Sequence, residues 1–354
     1  MTKGIKVDLK DANKIKEFLI QNGILDFSKI LNKSDDEITF PILDIDNLEK
    51  MLRKVRVNYE IVEDNFKSKT KRKNFKELSK EHLNKDEIEK LKTSYDVVGD
   101  IAILEIDKEL RKKEKIISEI LLESNPNIKT VVRKQGSHDG IFRTQKMKHL
   151  AGENKKETIH KENSVLLKMD IENVYFSTRQ STERKRIAQQ VKPNERVLVL
   201  FSGCAPFPCV IAKNSNAKYV CGVEINPKGH MYAIENVKLN KLKNVYLTNQ
   251  NARKIEKILS DFSEIPEFDP HFDRIIMPLP KTADEFLDEA LFFSKAGTII
   301  NFYDFQKEDE IYKSIQKIEN GCHKNLMKAK ILNTVKCGQQ SPHTYRICVD
   351  FGVY

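Results

Sequence analysis

The feature that most constrains the fold is an alternation that begins near residue 190. Five short apolar runs, Val197–Leu200, Tyr219–Glu224, Val245–Leu247, Arg274–Met277 and Thr298–Phe302, are separated by longer stretches. Those stretches, notably Lys228–Leu239, Ala283–Ser294 and Lys307–Ile318, carry apolar residues at helical spacing. Short apolar runs alternating with amphipathic helices predict an α/β domain. A parallel pair needs a crossover, and a helical crossover covers a sheet face, so the sheet is expected to be mostly parallel and doubly wound. Two further runs, Ala329–Val335 and Tyr345–Phe351, predict a closing antiparallel pair.

Upstream the pattern is α+β. Residues 1–65 read as a small α/β unit, with a helix over Asp11–Ile20, a strand over Glu37–Ile42 and a second helix over Asp46–Leu52. Lys67–Lys73 holds five cations in seven residues and reads as a solvated linker able to brush RNA phosphate. Residues 75–180 then alternate short elements. A helical region spans Glu77–Lys92, a hairpin spans Tyr95–Ile106 with its turn at Gly99 and Asp100, and a helix spans Glu109–Glu123. Strands follow at Lys129–Arg133 and Ser164–Met169. Three domains are expected: 1–65, 75–180 and 181–354.

Composition narrows the partner class. Lys and Arg number 62 against 52 Asp and Glu, a net charge of +10 that suits a polyanion. No apolar run follows Met1, so no signal peptide is expected, and no stretch reaches the ~18 apolar residues of a membrane span. The six cysteines lie between Cys204 and Cys348 and form no Cys-x-x-Cys pair. They read as buried thiols in a reducing cytoplasm, with no metal site.

Ligands of open α/β sheets bind beyond the carboxyl ends of the strands. The first strand here runs into Phe201, Ser202, Gly203 and Ala205, small enough for close backbone approach. The second ends at Glu224, a carboxylate placed to accept from ribose hydroxyls, followed by Ile225, Asn226 and Pro227. The third ends near Asn251, whose amide suits an adenine edge. Only one glycine of a dinucleotide fingerprint is present, which favours a nucleoside cofactor without a pyrophosphate, such as S-adenosylmethionine.

These residues make the chain resemble the archaeal and eukaryotic tRNA guanosine-37 N1-methyltransferases, nearly end to end. The stretches that carry the resemblance are Ser94–Asp100, His149–Asn154, Thr158–Asn163, Val174–Ser177, Glu183–Arg184, Arg186–Ile187 and Glu224–Pro227. The aminocarboxypropyltransferase of wybutosine synthesis is a close relative with the same cofactor domain, and the extra N-terminal unit favours the methyltransferase branch. A catalytically impaired tRNA-binding homologue is a third reading. The resemblance implies a class I methyltransferase domain that binds S-adenosylmethionine, preceded by modules for the outer corner and the anticodon region of tRNA. It also implies a cytoplasmic monomer. It makes Arg143 the stabiliser over the target guanine, Glu183 the general base and Arg184 its supporting neighbour. The cofactor would be held by Phe201, Ser202, Gly203, Glu224, Ile225, Asn226, Asn251, Pro278 and Leu279. Read without the resemblance, Glu183 and Arg184 are a charge pair early in a helix that Ser181 and Thr182 cap. Phe142 and Tyr175 are expected in the core. Three positions depart from the family pattern: Val199 replaces an acid, Ala205 replaces a glycine, and Pro278 replaces the asparagine of an Asn-Leu-Pro motif. Lys281 survives beside the last.

Overall fold

The computed structural model describes residues 1–43, 48–68 and 73–354. It divides into two compact units, 1–73 and 74–354. The second and third expected domains therefore share one unit. The stretch 69–72 of the cationic run and residues 46–47 of the second expected helix lie outside the described residues.

In the first unit, β1 (Thr2–Asp8) is followed by α1 (Ala12–Gln21), β2 (Asn32–Lys33), β3 (Glu37–Pro41), α2 (Leu48–Leu52) and β4 (Glu60–Asp64). The sheet has the order β2-β3-β1-β4 and is antiparallel throughout. Ile5, Val7, Phe40 and Ile42 pack against Ile15 and Leu19 of α1. β1 was not expected from the sequence, although it is central to this sheet.

The second unit opens with α3 (Phe75–His82) and α4 (Lys85–Lys90) where one helical region was expected. Asn84 breaks it. Its backbone is extended, and it forms a capping box with Glu87 that starts a new helix. Then come β5 (Asp96–Val98), β6 (Ile101–Leu104), α5 (Glu114–Ser124), β7 (Thr130–Asp139) and β8 (Thr144–Gly152), in sheet order β5-β6-β7-β8. The expected turn at Gly99 and Asp100 joins β5 to β6. β8 went unrecognised because a polar residue, Gln145, occupies one of its buried positions. A hairpin of β9 (Glu157–Glu162) and β10 (Val165–Asp170) leads to α6 (Ser181–Gln190).

The rest follows the expected alternation: β11 (Arg196–Leu200), α7 (Pro206–Asn214), β12 (Tyr219–Val223), α8 (Pro227–Leu239), β13 (Val245–Thr248), α9 (Ile255–Phe262), β14 (Arg274–Met277), α10 (Leu287–Phe292), β15 (Ile299–Lys307), α11 (Tyr312–Lys324), β16 (Ala329–Ser341) and β17 (Thr344–Val353). The seven strands have the order β13-β12-β11-β14-β15-β17-β16. The first five in that order are parallel, and β17 and β16 close the sheet antiparallel. Alternate residues of β11 feed two cores. Leu198 and Leu200 join Ile275, Met277, Ile300 and Phe302. Val197 and Val199 join Val220, Ile276 and Tyr303 on the other face, and that core continues into Val98, Ile103, Val132 and Met147 of the smaller sheet. This shared core is why 74–354 is one unit. Val199, where the resemblance leads to the expectation of an acid, is fully buried.

Candidate functional site

Strand β11 lies between β12 and β14, so successive crossovers leave it in opposite directions and open a crevice at the carboxyl ends. A cavity of about 800 Å³ lies there. Phe201 and Gly203 follow β11, Glu224, Ile225 and Asn226 follow β12, Asn251 follows β13, and Pro278 and Leu279 follow β14. All of these line the cavity. Of the expected cofactor residues only Ser202 does not. Its side chain is buried against Gly222, where an added Cβ would come within 3.0 Å of Ser202 Oγ, and its N–H donates to Val223 O at 2.9 Å. Ser202 therefore clips the loop to β12 instead of facing a ligand.

The loop after β11 is strained. Phe201 (φ 58°), Gly203 (φ 58°) and Ala205 (φ 63°) all have left-handed backbone, which is costly for the bulky Phe201. Ala205, where the resemblance leads to the expectation of a glycine, adopts a conformation that glycine takes freely and sits at the N-cap of α7. Glu224 holds the loop: its Oε2 accepts from Gly203 N at 2.6 Å and its Oε1 from Asn226 N at 2.7 Å. Burial pushes this carboxyl above its ordinary value, although the N–H groups of Asn226, Gly203 and Ile225 favour the ion. Each carboxylate oxygen has a further lone pair for a hydroxyl donor. Asn251 Oδ1 accepts from Arg253 N at 3.0 Å, which leaves its Nδ2 hydrogens as the donors it offers.

Residues that the sequence reading did not assign complete the wall. Lys281 and Phe286 line the cavity, and Phe286 meets Phe201 edge-on with ring centroids 4.8 Å apart. Phe305 and Gln340, from the extended ends of β15 and β16, also reach it. Their strands were expected to stop earlier, so nothing in the sequence drew attention to them.

The β7–β8 turn forms another part of the wall. Gly140 (φ 64°) and Arg143 (φ 52°) bracket Ile141 and Phe142, which are 74% and 38% exposed. Phe142 is thus not core. Tyr175, half-buried, is a wall residue as well. Arg143 and Tyr175 line both this cavity and a second, of about 270 Å³. Burial lowers the pKa of the Arg143 guanidinium, Tyr175 opposes that shift, and Arg346 adds to it.

Glu183 and Arg184 line neither cavity. Helix α6 starts with Gln180 at its N-cap and no side-chain cap, so Ser181 and Thr182 do not cap it as expected. Arg184 is 1% exposed. It forks onto Glu162 at 2.5 and 2.6 Å and donates to Ser177 O at 3.0 Å, with its guanidinium 5.0 Å from the Phe176 ring. It ties the β9–β10 hairpin to the segment that carries Tyr175. Glu183 is 4% exposed. It accepts from Arg186 through both oxygens at 2.7 Å and from Tyr303 Oη at 2.6 Å. Arg186 also donates to Asp350 at 2.7 Å, and Asp350 accepts from Asn301 at 2.6 Å. Burial opposes the charge on Arg186, but Glu183 and Asp350 more than offset it and raise its pKa above the ordinary value. Cys337, next to Gly338 in the wall of the smaller cavity, is pushed up to about 12 by burial and by the charge of Glu183.

Among the described residues no group of His, Cys, Asp and Glu is arranged to hold a metal, and no helix is long and apolar enough to cross a membrane. Residues 158–332 match the TRM5/TYW2 methyltransferase domain, and 75–155 match the TYW2 N-terminal domain. The chain is 34% identical over 356 residues to tRNA (guanine(37)-N(1))-methyltransferase Trm5b of Pyrococcus abyssi, covering 100% of this chain and 99% of that one. A crystal structure of wild-type Trm5b from the same organism has a TM-score of 0.70 at 33% identity and covers 100% of this chain and 99% of that one. A complex of aTrm5 with tRNALeu has a TM-score of 0.69 at 31% identity, covering 99% of each chain. With a class I methyltransferase sheet, a cavity at its strand ends and full-length similarity of this kind, the chain belongs to the TRM5/TYW2 methyltransferase family.

Proposed function

We propose that this chain transfers a methyl group from S-adenosylmethionine to N1 of guanosine 37 in tRNA. The observation that carries the reading is one cavity walled by four successive strand ends of the cofactor sheet and by Arg143 from a separate sheet. The full-length relative named for this reaction supports it, the N-terminal unit included, which favours methyl over aminocarboxypropyl transfer. The division into a tRNA outer-corner module (1–65), an anticodon-region module (75–180) and a cofactor module (181–354), acting as a monomer, belongs to the same proposal.

The cavity fits the cofactor. Gly203 leaves open backbone, where the nearest atom to an added Cβ is 3.8 Å away. Phe201, Leu279 and Phe286 offer apolar surface, and no phosphate nest is needed. Glu224 accepts from the ribose hydroxyls, Asn251 donates to the adenine edge, and Lys281 supplies a charge for the carboxylate. S-adenosylmethionine brings an electrophilic methyl on a sulfonium centre.

The chain's own residues then act on the guanine. Its N1 carries a proton and must lose it as it attacks. Negative charge moves toward O6, where the half-buried Arg143 stabilises it. We assign proton removal to Glu183. In the folded chain it accepts from Arg186 and Tyr303, and Arg186 already has a second partner in Asp350 to take when Glu183 turns to substrate. Arg184 acts as a positioning residue through Ser177 and the Tyr175 segment.

The test is incubation of unmodified tRNA transcripts with methyl-labelled cofactor. Label is expected on transcripts with guanosine at position 37 and not on those with adenosine there. Equal labelling of both would overturn the assignment of the target.

A further inference from the structure

The smaller cavity holds two buried polar groups that the folded chain leaves unsatisfied. Gln145, 8% exposed, has no partner for Oε1, and Arg346, 7% exposed, has none for Nε. Both line this chamber. Such atoms are rare in folded proteins and costly unless a ligand completes them. Gln145 Nε2 donates to Gly136 O at 2.7 Å, which fixes the amide so that Oε1 is the acceptor on offer. Arg346 is held beside Tyr175 Oη at 3.4 Å and over the Phe305 ring at 5.4 Å, and among the described residues it forms no ion pair. The acids at the rim are already engaged: Asp96 by Arg179 at 2.9 and 3.1 Å, and Glu105 by Lys134 at 3.8 Å.

A phosphate offers acceptors only and would leave Gln145 unsatisfied. A ligand with a donor and an acceptor side by side on a flat apolar body satisfies both groups, and a nucleobase edge is such a body. Val98, Ile103, Met147 and Phe176 supply apolar walls. The methylated guanine must turn N1 toward the cofactor cavity, whereas Gln145 and Arg346 offer their acceptor and donor inside the smaller chamber, where a neighbouring base can present its own edge. Arg143 and Tyr175 wall both cavities, so a base here is one step from the target.

Resting on the RNA reading above, we propose that the smaller chamber is a second base subsite that reads a nucleotide flanking the methylated guanosine, with Arg346 Nε donating to its edge and Gln145 Oε1 accepting from it. Transcripts abasic at the 5′ or the 3′ neighbour test this by kcat/KM. Wild type is expected to lose roughly 10-fold on one of the two, the scale of a lost hydrogen bond to a charged group. Gln145→Met and Arg346→Lys lose a similar factor on the intact transcript and nothing further on that abasic one. Cofactor affinity, unchanged in both variants, shows that they fold. Wild type indifferent to both abasic transcripts would overturn the subsite, as would variants whose loss is equal on intact and abasic RNA. Gln145→Met that instead ceases to distinguish guanosine from inosine at the target would place the contact on the methylated base. No transfer to any transcript would sink the enzymatic reading and this subsite with it.

Discussion

Arg184→Met separates a positioning role from a substrate contact. Arg184 and Glu162 are 1% and 7% exposed and joined through two short hydrogen bonds, with a third from Arg184 to Ser177 O. Methionine fills most of the space beside Phe176 but leaves the Glu162 carboxylate buried, with His160 at 3.6 Å as its remaining ion-pair partner among the described residues. Breaking one side of a buried pair costs about 3–5 kcal/mol, whereas replacing both partners with apolar residues is often neutral. For a unit of this size the single variant should lower the melting midpoint by roughly 10 °C. Glu162→Met with Arg184→Met should recover most of that loss. The sign with pH follows from Glu162. Burial opposes its ionisation, but His160 and Arg184 hold its carboxyl below the ordinary value. In wild type its contribution is therefore present above the unfolded value and lost as pH falls through the folded one. Without Arg184 burial dominates and the carboxyl moves up. The variant is penalised only while Glu162 is ionised, so its deficit shrinks from pH 7 toward pH 5. Circular dichroism melts of the three proteins across that range measure this. A single variant that melts within ~1 kcal/mol of wild type yet loses methyl transfer would refute the reasoning and make Arg184 a substrate contact.

Glu224 gives a second pH signature. Its raised pKa means that it takes up a proton in the free protein at pH values where an exposed glutamate stays ionised. Ribose hydroxyls donate to the ion, so cofactor affinity by calorimetry should fall as pH is lowered through that raised value. Glu224→Gln should bind roughly 10-fold more weakly with a flat profile, and a variant that kept the wild-type slope would exclude Glu224 as its source. Linkage fixes the stability sign too: the wild-type apo chain loses stability as pH rises through the folded value, a loss that the glutamine variant should not show. Glu183→Gln should slow single-turnover transfer by about 10²-fold or more with cofactor affinity unchanged, and retention of full rate would remove Glu183 as the base. Asn236, fully buried, donates to Lys168 O and Cys204 O and accepts from Lys168 N, joining β10 to the cofactor loop. Asn236→Leu strands those groups and should cost about 2–3 kcal/mol in denaturant unfolding. A loss under ~0.5 kcal/mol would mean that other groups replace them.

The seven-stranded sheet was legible chiefly because its central strands β11, β12 and β14 are buried and read as continuous apolar runs. The cofactor wall was legible for the same reason, since ligands meet strand ends and the strand ends were visible. What stayed hidden lacked a periodic signal. β8 places Gln145 where an apolar residue would have announced a strand, and β4, Glu60–Asp64, has no fully buried residue. Ser202 looked like a ligand contact because small residues after a strand usually are, and only Gly222 beside it shows which way it faces. Glu183 and Arg184 are neighbours in sequence, but on a helix adjacent residues point to different partners. One enters a network under the sheet with Arg186, Asp350 and Tyr303, and the other enters an ion pair with a hairpin 22 residues upstream.

The central claim is the identity of the group moved and the atom that receives it. Nucleoside mass analysis of an unmodified tRNA, after a single turnover with S-adenosylmethionine, measures both at once. The account predicts one new product, guanosine bearing a single methyl at N1, arising from position 37. A guanosine carrying the aminocarboxypropyl group, a methyl elsewhere on the base, or unchanged nucleosides under conditions where the cofactor binds would contradict it.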